Sequence, residues 1–337
     1  KLPAAGRFQG FSPKDVLYLI MPDRFADGDL SRNDPDTTDR TKPRYYHGGD
    51  LQGVINRLPY LRDLGVTGIW LNPVYDNSAR DYHGYHATDF YAVENHFGDV
   101  ATFRKLVDSA HRHGIKVIQD HVANHCGPLH PWVGDPPTQT WFNGTPEKHL
   151  NNTYQAWTLA DPNATDNLRR ATLEGWFANR LPDLNQGDPE LRRYLIQNTL
   201  WWIGITGIDG IRQDTLPYVD RRFWAEWMTA VKREYPSFRV VGEVLERDPA
   251  LVSFFQGGHS PLGVDTRIDT VFDFPLYFAI RDVFAAGKSM RGLPMSLAHD
   301  RLYPNPSILV THLGLHDVRR FMSDPGATLE GLKLAFT

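Results

Sequence analysis

The sequence is poor in three things, and each absence excludes something. It has one cysteine, Cys126, in 337 residues, so no intrachain disulfide can form and the fold must rest on its core. It has no surplus of charge of one sign: 36 Lys and Arg stand against 40 Asp and Glu, a formal net charge of -4, with the two signs interspersed. Phosphate neutralisation draws on a basic surplus or stripe, so no nucleic-acid partner is expected. No apolar run approaches the ~18 residues that cross a bilayer, so no membrane span is expected either. Lys1 is followed by no apolar segment of a secretory leader, which leaves the compartment open between cytoplasmic and periplasmic or secreted. What the chain does have is 9 Trp, 14 Tyr, 18 Phe and 14 His, with 28 Gly and 24 Pro. That is the composition of a folded, turn-rich chain, long enough to bury most of its unfolded surface.

Short runs rich in β-branched and aromatic residues recur at 16–21, 66–71, 115–120, 208–213, 239–242, 270–274 and 308–311. Segments of helical periodicity lie among them at 51–64, 101–113, 189–203 and 221–234; in the second, Phe103, Leu106, Val107 and Ala110 fall at i, i+3, i+4 and i+7. Strand-then-helix repeated in this way predicts an α/β fold with a parallel sheet buried on both faces. An open doubly wound sheet competes with a closed (β/α)8 TIM barrel, and seven units over this length favour the barrel. Between Asp120 and Ile208 lie 87 residues, far more than one crossover helix and its loops require. Much of this stretch is rich in Pro, Asn, Gly, Thr and Trp, which predicts a small subdomain inserted after the third strand. The expected division is 1–120 for the first part of the barrel, 121–185 for the insert and 186–337 for strands four to seven. Only a helix start at 329–336 follows the seventh strand. An open barrel leaves two unpaired edges, so the eighth strand is expected to be missing because the sequence is a fragment, cut before that strand and a C-terminal β-domain.

In a barrel of this kind the chemistry sits at the C-terminal ends of the strands. Asp120 closes the third strand, Asp214 the fourth and Glu243 the fifth, and Asp317 lies just beyond the seventh. Burying carboxylates unpaired is costly, so four converging on one end need a reason. Arg212 precedes Asp214 by two residues, and strand alternation puts both side chains on one face. That cation is expected to hold Asp214 ionised, as a nucleophile requires, while crowding raises the pKa of another carboxylate into the range of a general acid. A retaining glycosidase needs this division of labour, with the two groups about 5 Å apart. The plainer reading makes the same residues helix N-caps and structural ion pairs.

His121 and His125 stand four apart in DHVANH, a spacing that also suits zinc; His125 and His316, beside strand ends, suit hydrogen bonds to sugar hydroxyls. His83 and Tyr85 lie in YHGYHATDFY after the second strand, and the Tyr85 ring could stack on a sugar face. Trp132, Trp141, Trp157 and Trp176 either line a glycan groove or form the insert's own core. In FADGDLSRNDPD, Asp27, Asp29, Asn33 and Asp34 offer oxygens around a Gly turn, a set that suits Ca2+ as well as an ordinary Asx-turn loop.

Taken together these segments resemble the signature regions of the α-amylase superfamily of glycoside hydrolases, over nearly the whole chain. DHVANH (120–125) is similar to the first region, GIRQD (210–214) to the second, GEV (242–244) to the third and THLGLHD (311–317) to the fourth. The resemblance implies Asp214 as nucleophile, Glu243 as general acid/base and Asp317 as the carboxylate that stabilises the transition state, with Arg212, His125, His316, Tyr85 and His83 binding substrate. MPDRF (21–25), HGGDLQGV (47–54) and LPDLN (181–185) are most similar to the neopullulanase and cyclomaltodextrinase branch. This implies an α-glucan or cyclodextrin substrate, hydrolysis with transglycosylation, and a homodimer. It also implies structural Ca2+ held by Asp27, Asp29, Asn33, Asp34, the Gly48 carbonyl and Asp50. Three places depart from the pattern: Leu315 stands where Asn is usual, Pro217-Tyr218 replaces a Lys-His pair that binds sugar and calcium, and Arg32 lengthens the first loop. The rival expectation is a non-catalytic amylase-like carbohydrate-binding or assembly protein.

Overall fold

A computed structural model describes residues 7–78 and 81–337; residues 1–6, on which the leader reading falls, lie outside them. Six strands make one parallel sheet: β1 (Leu17–Ile20), β2 (Gly68–Leu71), β3 (Lys116–His121), β4 (Gly210–Gln213), β5 (Arg239–Gly242) and β6 (Thr270–Val271). They are hydrogen-bonded in chain order, and every pairing is parallel. A doubly wound sheet reverses its order at a switch point. This one adds each strand on the same side, so it curls as part of a barrel does.

The crossovers are carried by α1 (Leu51–Asp63), α2 (Val100–Arg112), α3 (Pro189–Thr206) and α4 (Arg221–Glu234), and α5 (Phe274–Phe284) follows β6. Each of the five opens on an Asp whose side chain accepts a first-turn backbone N–H: Asp50, Asp99, Asp188, Asp220 and Asp273. Such a cap is worth about 1 kcal/mol. None of the four strand-end carboxylates is among these caps. α3 stops where Gly207 turns left-handed at φ 77°, a conformation glycine adopts without strain.

Two apolar layers hold the sheet. Phe11, Trp70, Ile118, Val241, Phe272 and Leu315 fill the inside of the curl. Leu58, Phe103, Trp202, Trp224, Trp227 and Val240 pack between sheet and helices, where each buried side chain contributes about 1.5–3 kcal/mol. Among the described residues no helix is long and apolar enough to cross a membrane.

Two expectations need correction. The seventh run, 308–311, is not a strand: it makes one parallel bridge, Val310 to Phe272, after a 3-10 turn at Pro306–Ile308. Pro304 and Pro306 lack the N–H a ladder needs, and among the described residues no strand lies on its other side. A slot of about 170 Å3, lined by Leu17, Leu19, Trp70, Phe272, Val310 and His312, separates this segment from β1. The sixth run is shorter than expected because α5 begins at Phe274. Sequence periodicity also missed an antiparallel pair, Tyr75–Asn77 with Ala87–Val93, that carries the loop after β2. The long segment between β3 and β4 holds a helix (Asp166–Leu173) and a two-residue parallel pair, Leu150–Asn151 with Gly175–Trp176. Bridges from His125 to Asp183 and from Phe142 to Leu184 tie it down at its base.

Candidate active site

Arg212 organises the C-terminal ends of the strands. Alternation on β4 aims it and Asp214 at the same interior, as expected, and its side chain is fully buried. Nη1 lies 2.9 Å from Asp120 Oδ1 and 2.5 Å from Asp214 Oδ1, and Nη2 lies 2.5 Å from Glu243 Oε1. One planar fork therefore holds three carboxylates, as guanidinium geometry allows and an ammonium does not. The Trp70 ring packs beside it, 5.2 Å from the guanidinium carbon.

Asp120 is saturated. It accepts from Arg212, from Trp70 Nε1 at 3.0 Å and from the Tyr85 hydroxyl at 2.8 Å. Tyr85 also takes a hydrogen bond from Asn72 Nδ2 at 2.8 Å, lies 2.8 Å from His316 Nε2 and stacks on the His316 ring. Asp317 Oδ2 is 3.1 Å from His316 Nε2, with its side chain 45% exposed. Glu243 Oε2 accepts the backbone N–H of Thr215 at 3.0 Å. Thr215 is left-handed at φ 49°, a strained conformation for a β-branched residue of the kind that concentrates at functional sites.

Burial dominates the electrostatics. Desolvation outweighs the pull of the Arg212 cation and pushes Asp214 up to about 6, which still leaves it ionised at neutral pH. Desolvation also raises Asp120 and Glu243 against the pull of Arg212, and takes Asp317 to about 6 with the nearby Glu243 charge adding to it. The same burial drives His83 down to about 4 and His125 and His316 to about 3, so these imidazoles are neutral at pH 7.

Asp214, Glu243, Asp317, His83, Tyr85, His125 and His316 all line one cleft of about 640 Å3, inside the ~300–1,000 Å3 range of small-ligand sites. His125 is buried, stacks on Phe177 and has no hydrogen-bond partner at Nε2. His121 does not share a point with it: its nitrogens meet Gln213 Oε1 and Thr199 Oγ1, which removes the zinc reading of that pair. Of the four tryptophans of the insert, Trp141 and Trp176 are buried and Trp132 packs against Trp141 and Tyr194; none of the four, Trp157 included, lines the cleft. The aromatic lining comes instead from Tyr82, Tyr154, Phe177 and Tyr218. Tyr218 occupies the place where the usual Lys-His was missing. Tyr154 and Phe177 carried no sequence signal, because their position depends on left-handed backbone at Tyr154, Ala178 and Asn179, all non-glycine.

The six residues expected around Ca2+ gather in part. Asn33 Nδ2 donates to Asp27 Oδ2 at 2.9 Å, and Gly48 passes so close to both that a Cβ there would lie 2.5 Å from Asn33 Oδ1. Asp27 Oδ1 is buried without a partner. Asp50 spends both oxygens on the N–H groups of Gly28, Asp29 and Gly53, Asp29 caps Ser31, and Asp34 caps Asp36. Asp27, Asn33 and Gly48 thus fit a hard cation, although Arg40 contacts Asp27 Oδ2 at 2.6 Å.

A curled parallel sheet with an arginine-bridged cluster of carboxylates at its strand ends is the arrangement that the signature regions implied. Residues 19–335 match the family described as alpha amylase, catalytic domain, and the chain belongs to that family. It is 34% identical over 325 residues to the beta/alpha-amylase of Paenibacillus polymyxa, covering 94% of this chain and 25% of that protein. It is 33% identical over 335 residues to neopullulanase 2 of Thermoactinomyces vulgaris, covering 95% and 53%. The chain therefore spans between a quarter and about half the length of these relatives. Among solved structures, an Anoxybacillus alpha-amylase matches with a TM-score of 0.80 at 37% identity, covering 92% of this chain and 63% of that one. The Geobacillus thermoleovorans alpha-amylase complexed with acarbose matches with 0.79 at 35%, covering 96% and 67%.

Proposed function

We propose that this chain carries the catalytic centre of a retaining glycoside hydrolase acting on α-1,4-linked, and by extension α-1,6-linked, glucans or cyclodextrins. The observation that carries the reading is the single guanidinium that contacts both Asp214 and Glu243 at 2.5 Å. A shared fork favours the ~5 Å carboxyl spacing of a retaining site over the ~6.5–9.5 Å that an inverting site needs for its water. Glu243, protonated, gives its proton to the glycosidic oxygen as Asp214 attacks the anomeric carbon. The C–O bond breaks, one sugar leaves with its new hydroxyl, and the other stays as a β-glucosyl ester of Asp214. Glu243, now ionised, takes a proton from water or from a second sugar hydroxyl, whose oxygen displaces Asp214. Asp317 faces the charge that develops on the ring, and the neutral His125, His316 and His83 offer hydrogen bonds to its hydroxyls.

The finer architecture belongs to the same proposal. Residues 121–185 act as an inserted subdomain whose Tyr154 and Phe177 form one wall of the cleft. Ca2+, held by Asp27, Asn33 and Gly48, would tie the first loop together and would take no part in the chemistry. A homodimer is tested by sedimentation of the purified protein.

Release of reducing ends from maltooligosaccharides, cyclodextrins and pullulan, with the anomeric form of the first product read by NMR, tests the proposal. An α-anomeric product that is lost in Asp214→Asn is expected. A β-anomeric product refutes retention, and near-normal activity of Asp214→Asn on these glucans refutes the nucleophile. A folded parent protein with no turnover on any of them leaves the carbohydrate-binding alternative standing in its place.

A further inference from the structure

Outside the carboxylate cluster, the loop between Tyr75–Asn77 and Ala87–Val93 brings together Asp81, His83 and His86. One donor atom from each lies within 4.8 Å of the other two. Asp81 Oδ1 and His86 Nδ1 are 3.1 Å apart. His86 is 6% exposed, and its Nδ1 is nonetheless buried without a hydrogen-bond partner. The carboxylate sits beside the ring nitrogen, close enough for both to reach one ion. Ligands about 3.3 Å apart are what a tetrahedral ion with ~2.0–2.1 Å bonds requires, and this pair already has that spacing. The His83 ring meets the His86 ring edge to face, with centroids 4.5 Å apart.

The surroundings hold Asp81 and His86 in place, as outer partners of metal ligands do. Asp81 Oδ2 takes the Ser78 hydroxyl, and Asn77 Oδ1 accepts the His86 backbone N–H at 3.0 Å. His83 Nδ1 accepts the backbone N–H of Tyr85 at 3.1 Å. An ion on His83 therefore takes Nε2; the ring proton moves to Nδ1 and that backbone bond is given up.

We propose that Asp81, His83 and His86 form a three-ligand site for a divalent transition metal of the Zn2+ class, with its fourth position open to the cleft. Imidazole and carboxylate donors select Zn2+, Ni2+ or Cu2+ over Mg2+. His83 and His86 both line the cleft, so a bound ion narrows the path of anything that enters. This second consequence rests on the proposed function; metal binding itself does not.

Zn2+ is titrated into chelator-treated protein by calorimetry, with Mg2+ as control, for the parent and for Asp81→Asn, His86→Gln and His299→Gln, the last a histidine remote in sequence. One Zn2+ per chain is expected, weakened tenfold or more in Asp81→Asn and His86→Gln and unchanged in His299→Gln, with thermal unfolding showing that all four proteins are folded. Absence of binding at micromolar Zn2+, or binding that ignores both loop substitutions, overturns the site. In glucan assays Zn2+ should raise KM and leave kcat unchanged in the parent and not in Asp81→Asn. Site-dependent binding without this inhibition upholds the metal site and counts against the placement of His83 on the substrate path.

Discussion

Replacing Arg212 with lysine keeps a positive charge in the interior and removes the fork. In the parent, Nη1 serves Asp120 and Asp214 while Nη2 contacts Glu243. A lysine ammonium is a single point on a flexible stem, so it can satisfy one of these carboxylates well and loses its hold on the others. Each charge-assisted contact is worth ~1.5–3 kcal/mol net, so the loss of one or two costs about 2–4 kcal/mol of organised geometry, or roughly 30- to 1,000-fold in kcat/KM. Because the charge survives, the fold should tolerate the change. Arg212→Met removes the charge as well, leaves three buried carboxylates uncompensated, and should cost about 3–5 kcal/mol of stability. Initial rates on a maltooligosaccharide, with thermal unfolding of both variants, separate the two effects. If Arg212→Lys stays within about threefold of the parent in kcat/KM, the fork does not set the catalytic geometry and the argument built on it fails.

Other consequences follow from the same structure. Asp214 must be ionised to attack and burial pushes it up to about 6, so kcat/KM should fall as pH drops through that region rather than near 4; an acid limb near 4 contradicts the desolvated site. An acid whose pKa is raised on folding adds stability that is full below the ordinary carboxylate range and lost as pH rises through the folded value. With Asp317 at about 6, Asp317→Asn should flatten the decline of Tm between pH 4 and 7, and an unchanged slope refutes this. Phe177→Ala and Tyr218→Ala remove cleft walls without touching the carboxylates, so each should raise KM for longer glucans more than it lowers kcat, as product profiles over a maltooligosaccharide series will show. If Ca2+ occupies the first loop, saturating it at a hundredfold over Kd adds about 2.7 kcal/mol; chelation should lower Tm in the parent and not in Asp27→Asn.

The scaffold was legible where the physics is periodic. Strand-end positions of Asp120, Asp214 and Glu243 could be read because a buried parallel strand is a short apolar run with a sharp end, and β3, β4 and β5 end at or beside them. The segment at 308–311 had the composition of a strand and lacked a second neighbour, which composition does not register. The cleft walls were less legible. Tyr154, Phe177 and Tyr218 meet edge to face or tilted across the cleft, brought together from three separated stretches by non-local packing that no spacing rule encodes. The strained Thr215 was invisible for a related reason: a threonine after a strand gives no hint of left-handed backbone, which is imposed where its N–H must reach Glu243.

The sequence also misled about which force sets protonation. Arg212 beside Asp214 invited the conclusion that the cation alone sets its pKa, yet one guanidinium serves Asp120, Asp214 and Glu243 together, and a single positive charge does not offset the burial of three carboxylates. The four carboxylates of the site differ in their hydrogen bonds. Asp120 accepts from three donors, which favour its charged form. Asp214 accepts directly from Arg212 Nη1. Asp317 is half open to solvent. Glu243 accepts one backbone N–H and lies in contact with Arg212 Nη2. Burial raises its pKa against the pull of Arg212, and the neighbouring Asp214 charge adds to the rise, which is the direction that the proposed acid needs.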